Sequence, residues 1–292
     1  MKQLGWLVCK TFIEKKKNRD KTALLSFLPT KEQKLVLNLH QPSQDLSLGF
    51  NLKNDVLDWT HYSWMLPFLR SFSEKELCLF LSSLEKHTAI KLKNSLKFSM
   101  PFLKPSEIVQ FFFRQKIANY LLLTNPDLLA FKALPKSPLN VLLELGSEDL
   151  RFVIELLGLH DLAIELKLII DNAKLKKIYS IFSKEKEVFL KMLLHKKEPV
   201  VFKQIELSHW DEKPESLLLI LFQRGLNRLA KAIYHENQSF VWYIQHRMDI
   251  EESHFFSSLY KTLEYPKAYK FLSLQVLEAV SFLRKIKPPV LL

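Results

Sequence analysis

A chain of 292 residues, 48% of it hydrophobic, has enough apolar side chain for two or three packed units and too much to stay disordered. Its 5 glycines are too few for a sheet rich in tight turns or for a phosphate-cradling loop, and its 2 cysteines exclude a disulfide framework or a cysteine metal centre. The formal net charge is +12, and residues 1–40 carry nine basic against three acidic side chains, a patch able to meet nucleic acid, anionic lipid or an acidic partner; a solvated basic helix face is the plainer account.

In chain order, no hydrophobic stretch of signal-peptide kind precedes the basic run after Cys9, so a reducing cytoplasm is the expected compartment. No apolar run approaches the roughly 20 residues that span a bilayer. Four segments then share one local grammar, a hydroxyl residue followed by charges and an apolar helix. They begin at Thr30, Ser73, Ser147 and Ser183, and each hydroxyl can accept a hydrogen bond from free amides of a helix start. Thr30 with Gln33, and Ser73 with Glu76, also have the spacing of a capping box.

Polar residues 40–54 and the two-proline stretch 132–140 read as boundaries. They divide the chain into a basic N-terminal helical region (1–50), a middle helical domain (51–135) and a C-terminal helical domain (136–292). The fold class expected is all-α: a superhelical, armadillo-like array of short helices in two to three units.

Phe111-Phe112-Phe113 and Phe255-Phe256 hold more aromatic surface than one helix face can bury. Such helices are either enclosed on several sides or offer contact to another subunit. A long helix is expected near 215–234, burying Leu218, Phe222, Gly225 or Leu226, Leu229 and Ile233, with Gln223, Arg224, Asn227, Arg228 and Lys231 largely on the other face. The last helix should end and fray at Lys285–Pro289.

Nucleotide-binding, zincin and nucleophile-elbow motifs are missing. His235 and His246 lie eleven apart across Asn237-Gln238-Ser239, which reads as a helix break, so surface histidines are expected rather than a metal pair. His87 lacks evident partners, and Asp161 and Asp171 are expected to be solvated or ion-paired. The chain is therefore expected not to be an enzyme and to need no cofactor or metal.

From His160 onward, fixed phrases follow one another: His160-Asp161-Leu162-Ala163-Ile164-Glu165-Leu166-Lys167, Lys177-Ile178-Tyr179-Ser180-Ile181-Phe182-Ser183-Lys184, then Glu198-Pro199-Val200-Val201-Phe202-Lys203-Gln204-Ile205-Glu206 and a helix near Glu215. Their order and spacing resemble the C-terminal domain of FliG, the flagellar motor-switch protein family. Lys21–Leu28 is similar to that family's opening phrase, and Leu84–Ile90 is fainter in its likeness to the middle-domain motif. The resemblance implies a non-enzymatic cytoplasmic scaffold or adaptor of a type III secretion or flagellar-type apparatus. It would link subunits of a membrane-anchored ring to those of a cytoplasmic ring, lying peripheral to the inner membrane through these partners, with self-association open.

The resemblance also implies a protein-contact surface at Lys177, Lys184, Glu185, Met192, Leu193, Pro199, Val200 and Lys203. The helix 183–194 stands where the family carries its torque helix. Here, however, Glu185 replaces an arginine and Met192-Leu193 replace an acidic pair, so packing or subunit contact is expected in place of stator sensing. Two alternatives stay open: a true motor-switch subunit with a shifted charge layout, or a basic helical nucleic-acid-binding protein.

Overall fold

Short apolar periods separated by prolines and capped starts leave the backbone little choice but local hydrogen bonding, and the computed structural model is helical throughout, with no strand among the described residues. Those residues are 6, 9–10, 13–14, 18–39, 56–57, 59–125, 127–202, 205, 207, 210–263 and 266–287. The boundary expected over 40–54 lies outside them. Among them, no helix is long and apolar enough to cross a membrane. The chain divides into two units, Met1–Ser137 with Asn237–Ile250, and Pro138–Glu236 with Glu251–Leu292.

The first unit begins with α1 (Asn18–Ser26) and α2 (Thr30–Asn38), which close over Trp6, Ile13 and Val36. Lys10, one of the basic N-terminal residues, is buried here, its ammonium bonded to the carbonyls of Leu37 (3.1 Å) and Leu39 at the end of α2. A cation at carbonyls left over from a helix C-terminus is favoured by their partial charge. A 3-10 turn, Tyr62–Met65, leads into α3 (Leu66–Leu69), and α4 (Glu74–Ser82), α5 (Lys86–Ser95) and α6 (Glu107–Leu122) follow.

The expected capping box forms at Ser73: its hydroxyl accepts from the amide of Glu76, whose carboxylate accepts from the amide of Ser73 at 2.9 Å. Thr30 and Ser147 instead lie just inside their helices, behind Pro29 and Gly146, and Ser183 occupies its cap position without a side-chain bond to the helix amides. A core of rings, Phe68, Phe72, Phe80, Phe113 and Tyr120, joins α3, α4 and α6.

A helix from far along the chain completes this unit. In α11 (Gln238–Arg247) the cap is Asn237, as expected from the break there. Ser239 accepts from the amide of Leu129 at 3.0 Å, and the hydroxyl of Tyr243 donates to the carbonyl of the same residue at 2.9 Å.

In the second unit, α7 (Ser147–Leu166) is apolar on nearly every side and is enclosed accordingly, by α9 (Lys184–Leu194), α10 (Pro214–Ala232) and α13 (Pro266–Ile286). Two shorter helices, α8 (Asn172–Ser180) and α12 (Ile250–Leu259), follow, and 3-10 stretches at Phe131–Ala133 and Pro138–Glu144 lead into α7. Asp171 caps α8, accepting from Ala173 and Lys174, so it is a capping residue outside the helix proper.

The crossing of α7 and α10 is set by glycine. A Cβ on Gly158 would lie 2.0 Å from the carbonyl oxygen of Leu221, and one on Gly225 would lie 1.8 Å from that of Ile154. The long helix matches its expected span and buries Phe222, Leu226, Leu229 and Ile233 as expected, but its buried stripe is wider and leaves out Leu218. Leu217 and Leu221 point inward, Leu218 and Leu219 outward, and Arg228 and Lys231 are buried. Both cations are buried because polar partners from elsewhere in the unit meet them, which hydrophobic periodicity does not register.

Candidate functional site

The second unit places a charged cluster inside its apolar core. Arg228 on α10 is 0% exposed. Its guanidinium donates to Asp161 on α7 at 2.5 Å, to Glu198 in the segment after α9 at 3.2 Å, to Gln275 on α13 at 2.8 Å, and to the carbonyl of Val200 at 3.1 Å. The ring of Phe202 covers it, 5.2 Å from the guanidinium carbon.

Glu198 ties a second layer. Nδ1 of His160 donates to its Oε2 at 2.7 Å, and the amide of Gln275 donates to its Oε1 at 2.5 Å. Burial pushes the Glu198 carboxyl up, but the bond from His160, the charge of Arg228 and the bond from Gln275 outweigh it, so the group titrates below the ordinary glutamate range. Removing one partner from such a cluster leaves a buried charge uncompensated, at a cost of roughly 3–5 kcal/mol. Nearby, Glu165 on α7 accepts the amide of Ile205 at 2.9 Å, pinning the same segment further along.

Above this floor opens a cleft of about 160 Å³. Leu193, Pro199, Phe271 and Leu274 form its apolar walls; His160, Glu198 and Gln275 lie at its base; Lys196, Lys197 and Glu278 stand at its rim. Lys196 is paired with Glu278, and Lys167 donates to the carbonyl of Lys196 at 2.6 Å, so that side of the rim is held in place. Phe271 and Leu274 remain 43% and 51% exposed on α13. The lining residues carry neither hydroxyl nor thiol, and no group of three His, Cys, Asp or Glu residues able to hold a metal occurs among the described residues.

Of the residues singled out from sequence, the structure brings Leu193 and Pro199 together in the cleft, with Val200 buried behind them and bonded to Arg228. Met192 is half-buried on α9. Lys177 lies apart, exposed and paired with Glu212. Lys184 and Glu185 are exposed at the start of α9, where a bond from Ser183 holds the Glu185 carboxyl below its usual range. Lys203 falls outside the described residues. Sequence reading passed over His160, Glu198, Arg228 and Gln275. The signal for the first was present, a histidine and an aspartate inside the otherwise apolar run Leu156–Ile164.

His235 and His246 do not meet. His235 packs its ring on Tyr269 in the second unit, whereas His246 lies between Trp64 and Trp242 in the first. Compared with family models, with curated proteins and with solved structures, the chain matches none of them.

Proposed function

We propose that this chain is a non-enzymatic scaffold whose second unit holds a partner subunit at the cleft between α9 and α13. The observation that carries this is the pairing of open apolar walls, Pro199, Phe271 and Leu274, with a floor braced by Arg228, Glu198 and Gln275. A rigid base with exposed apolar edges suits a protein anchor, since ordering costs little when the receiving surface is already fixed. The occupant proposed is a segment presenting one apolar side chain beside a carboxylate, the latter meeting Lys197 at the rim.

Two of the FliG-like phrases contribute to this cleft, through His160 and through Glu198 and Pro199, and on the likeness of the phrases we assign the scaffold to a type III secretion or flagellar-type apparatus, between a membrane-anchored ring and a cytoplasmic ring. The same reading takes the helix pairs as members of an armadillo-like array. In α9, Phe189, Leu190 and Leu193 point into the core, which favours packing over stator contact for this helix.

A photo-crosslinking side chain at Phe271, introduced in the native cell, tests the proposal. The adduct expected is a ring subunit, and Leu274→Asp, at an exposed position, should abolish it while leaving the melting temperature unchanged. Recovery of no ring subunit, or an adduct indifferent to Leu274→Asp, would sink the reading.

A further inference from the structure

The α6 helix has two apolar faces, and only one of them is used inside the first unit. Phe113, Ile117, Ala118 and Leu121 point inward, Phe113 against Phe72 and Phe80. On the outward side Ile108 is 81% exposed, Phe111 62% and Phe112 58%. The segment before α6 adds Phe102 and Leu103, which are also exposed. Its backbone is held down: Sγ of Cys78 donates to the carbonyl of Pro101 at 3.3 Å, Ser82 accepts from the amide of Leu103 at 2.8 Å, and Lys93 donates to the carbonyl of Met100 at 2.8 Å. The protruding side chains are therefore carried on a fixed backbone.

The surroundings are basic. Residues 91–116 contain Lys91, Lys93, Lys97, Lys104, Arg114 and Lys116 against a single acid, Glu107. Lys91, Lys93 and Lys116 rest over the rings of Tyr62, Phe102 and Phe72, contacts that position these cations without neutralising them.

We propose that this α5–α6 surface docks directly on a bilayer rich in anionic lipid, the aromatic and aliphatic side chains entering the headgroup boundary and the lysines meeting the phosphates. Exposed apolar side chains of this size need cover, and a basic flank selects an acidic one. A partner helix would require a groove to receive it, whereas Ile108, Phe111 and Phe112 protrude. A nucleic acid would find rings to stack on but no use for Ile108 and Leu103. The proposal is independent of the cleft and goes beyond the indirect membrane attachment argued above.

Flotation of the full chain with vesicles tests it, using phosphatidylcholine alone and phosphatidylcholine with about a third phosphatidylglycerol. The chain should float with the anionic vesicles, much less with the neutral ones, and binding should weaken as salt rises. The triple variant Ile108→Ser, Phe111→Ser, Phe112→Ser should bind about tenfold less, with unchanged circular dichroism. Because residues 1–40 are also basic, the pair Lys97→Glu, Lys104→Glu supplies a second arm. It leaves the N-terminus intact, sits at exposed positions, and should remove the preference for anionic vesicles.

Equal flotation of wild type and both variants, or no flotation of the wild type, overturns the proposal. So does a triple variant that floats normally but loses a concentration-dependent dimer in light scattering, which would assign the face to a second copy of the chain. Binding to an acidic peptide or to RNA without binding to vesicles would overturn it as well.

Discussion

At the scale of single residues, both units bury polar side chains, and in the first the histidine of α11 is one of them. His246 is almost fully buried, stacked between Trp64 and Trp242 at ring separations of 4.0 and 3.7 Å, and its Nδ1–H donates to the carbonyl of Trp242 at 2.9 Å. Burial lowers its pKa from 6.5 to about 4, the backbone bond opposing this only in part. As pH falls below 6.5 the unfolded chain takes up a proton there, and the folded chain does not until about 4. Stability is therefore full above 6.5 and declines as the pH falls towards 4, by about 1.4 kcal/mol per pH unit. Urea titrations at pH 7 and pH 5 should show wild type losing about 2 kcal/mol more than His246→Phe between the two conditions. An identical loss in both proteins would show that the ring does not remain neutral in the fold.

Among elements, the α7–α10 crossing decides how the second unit packs. In an isolated helix, glycine to alanine gains about 1 kcal/mol. Here a methyl group at Gly158 or Gly225 would meet a backbone carbonyl at 2.0 or 1.8 Å, an atom that cannot turn aside as a flexible side chain would. The helices must separate, and the Arg228 bonds to Asp161 cross that same interface. Each of Gly158→Ala and Gly225→Ala should cost roughly 2–3 kcal/mol net, visible as a lower thermal midpoint. A midpoint that rises would mean that the helices lie further apart than described.

On the scale of the whole molecule, the path of the chain matters more than any one helix. It leaves the first unit at Ser137, builds most of the second, and returns with Asn237–Ile250 before finishing the second. Residues 1–137 alone would lack the partners of Leu129 and the Met248 carbonyl that receives the indole N–H of Trp64 at 3.1 Å. A fragment of residues 1–137 is expected to give no cooperative melt, because the apolar face left by α11 and the freed polar groups both oppose folding. A sharp transition in that fragment would show that α11 is dispensable to the unit.

The helical class, the break at Asn237, the capping box at Ser73 and the span of the helix after Pro214 were legible in sequence. Each rests on contacts within a few residues: a missing amide, a hydroxyl three places before a carboxylate, an apolar period. The surplus of Phe111 and Phe112 was legible too, as apolar surface beyond what one face can bury. The Arg228 cluster was not. Asp161, Glu198, Arg228 and Gln275 lie on four separate segments, and Arg228 reads in sequence as the outer edge of an amphipathic helix. Nor could the cleft be foreseen, since Leu193 and Pro199 meet Phe271 and Leu274 only when α13 returns across α9. Local chemistry, then, determined which segments became helices. Only the tertiary structure decided which cations were enclosed, because the net cost of burying a charge depends on partners far away in the chain.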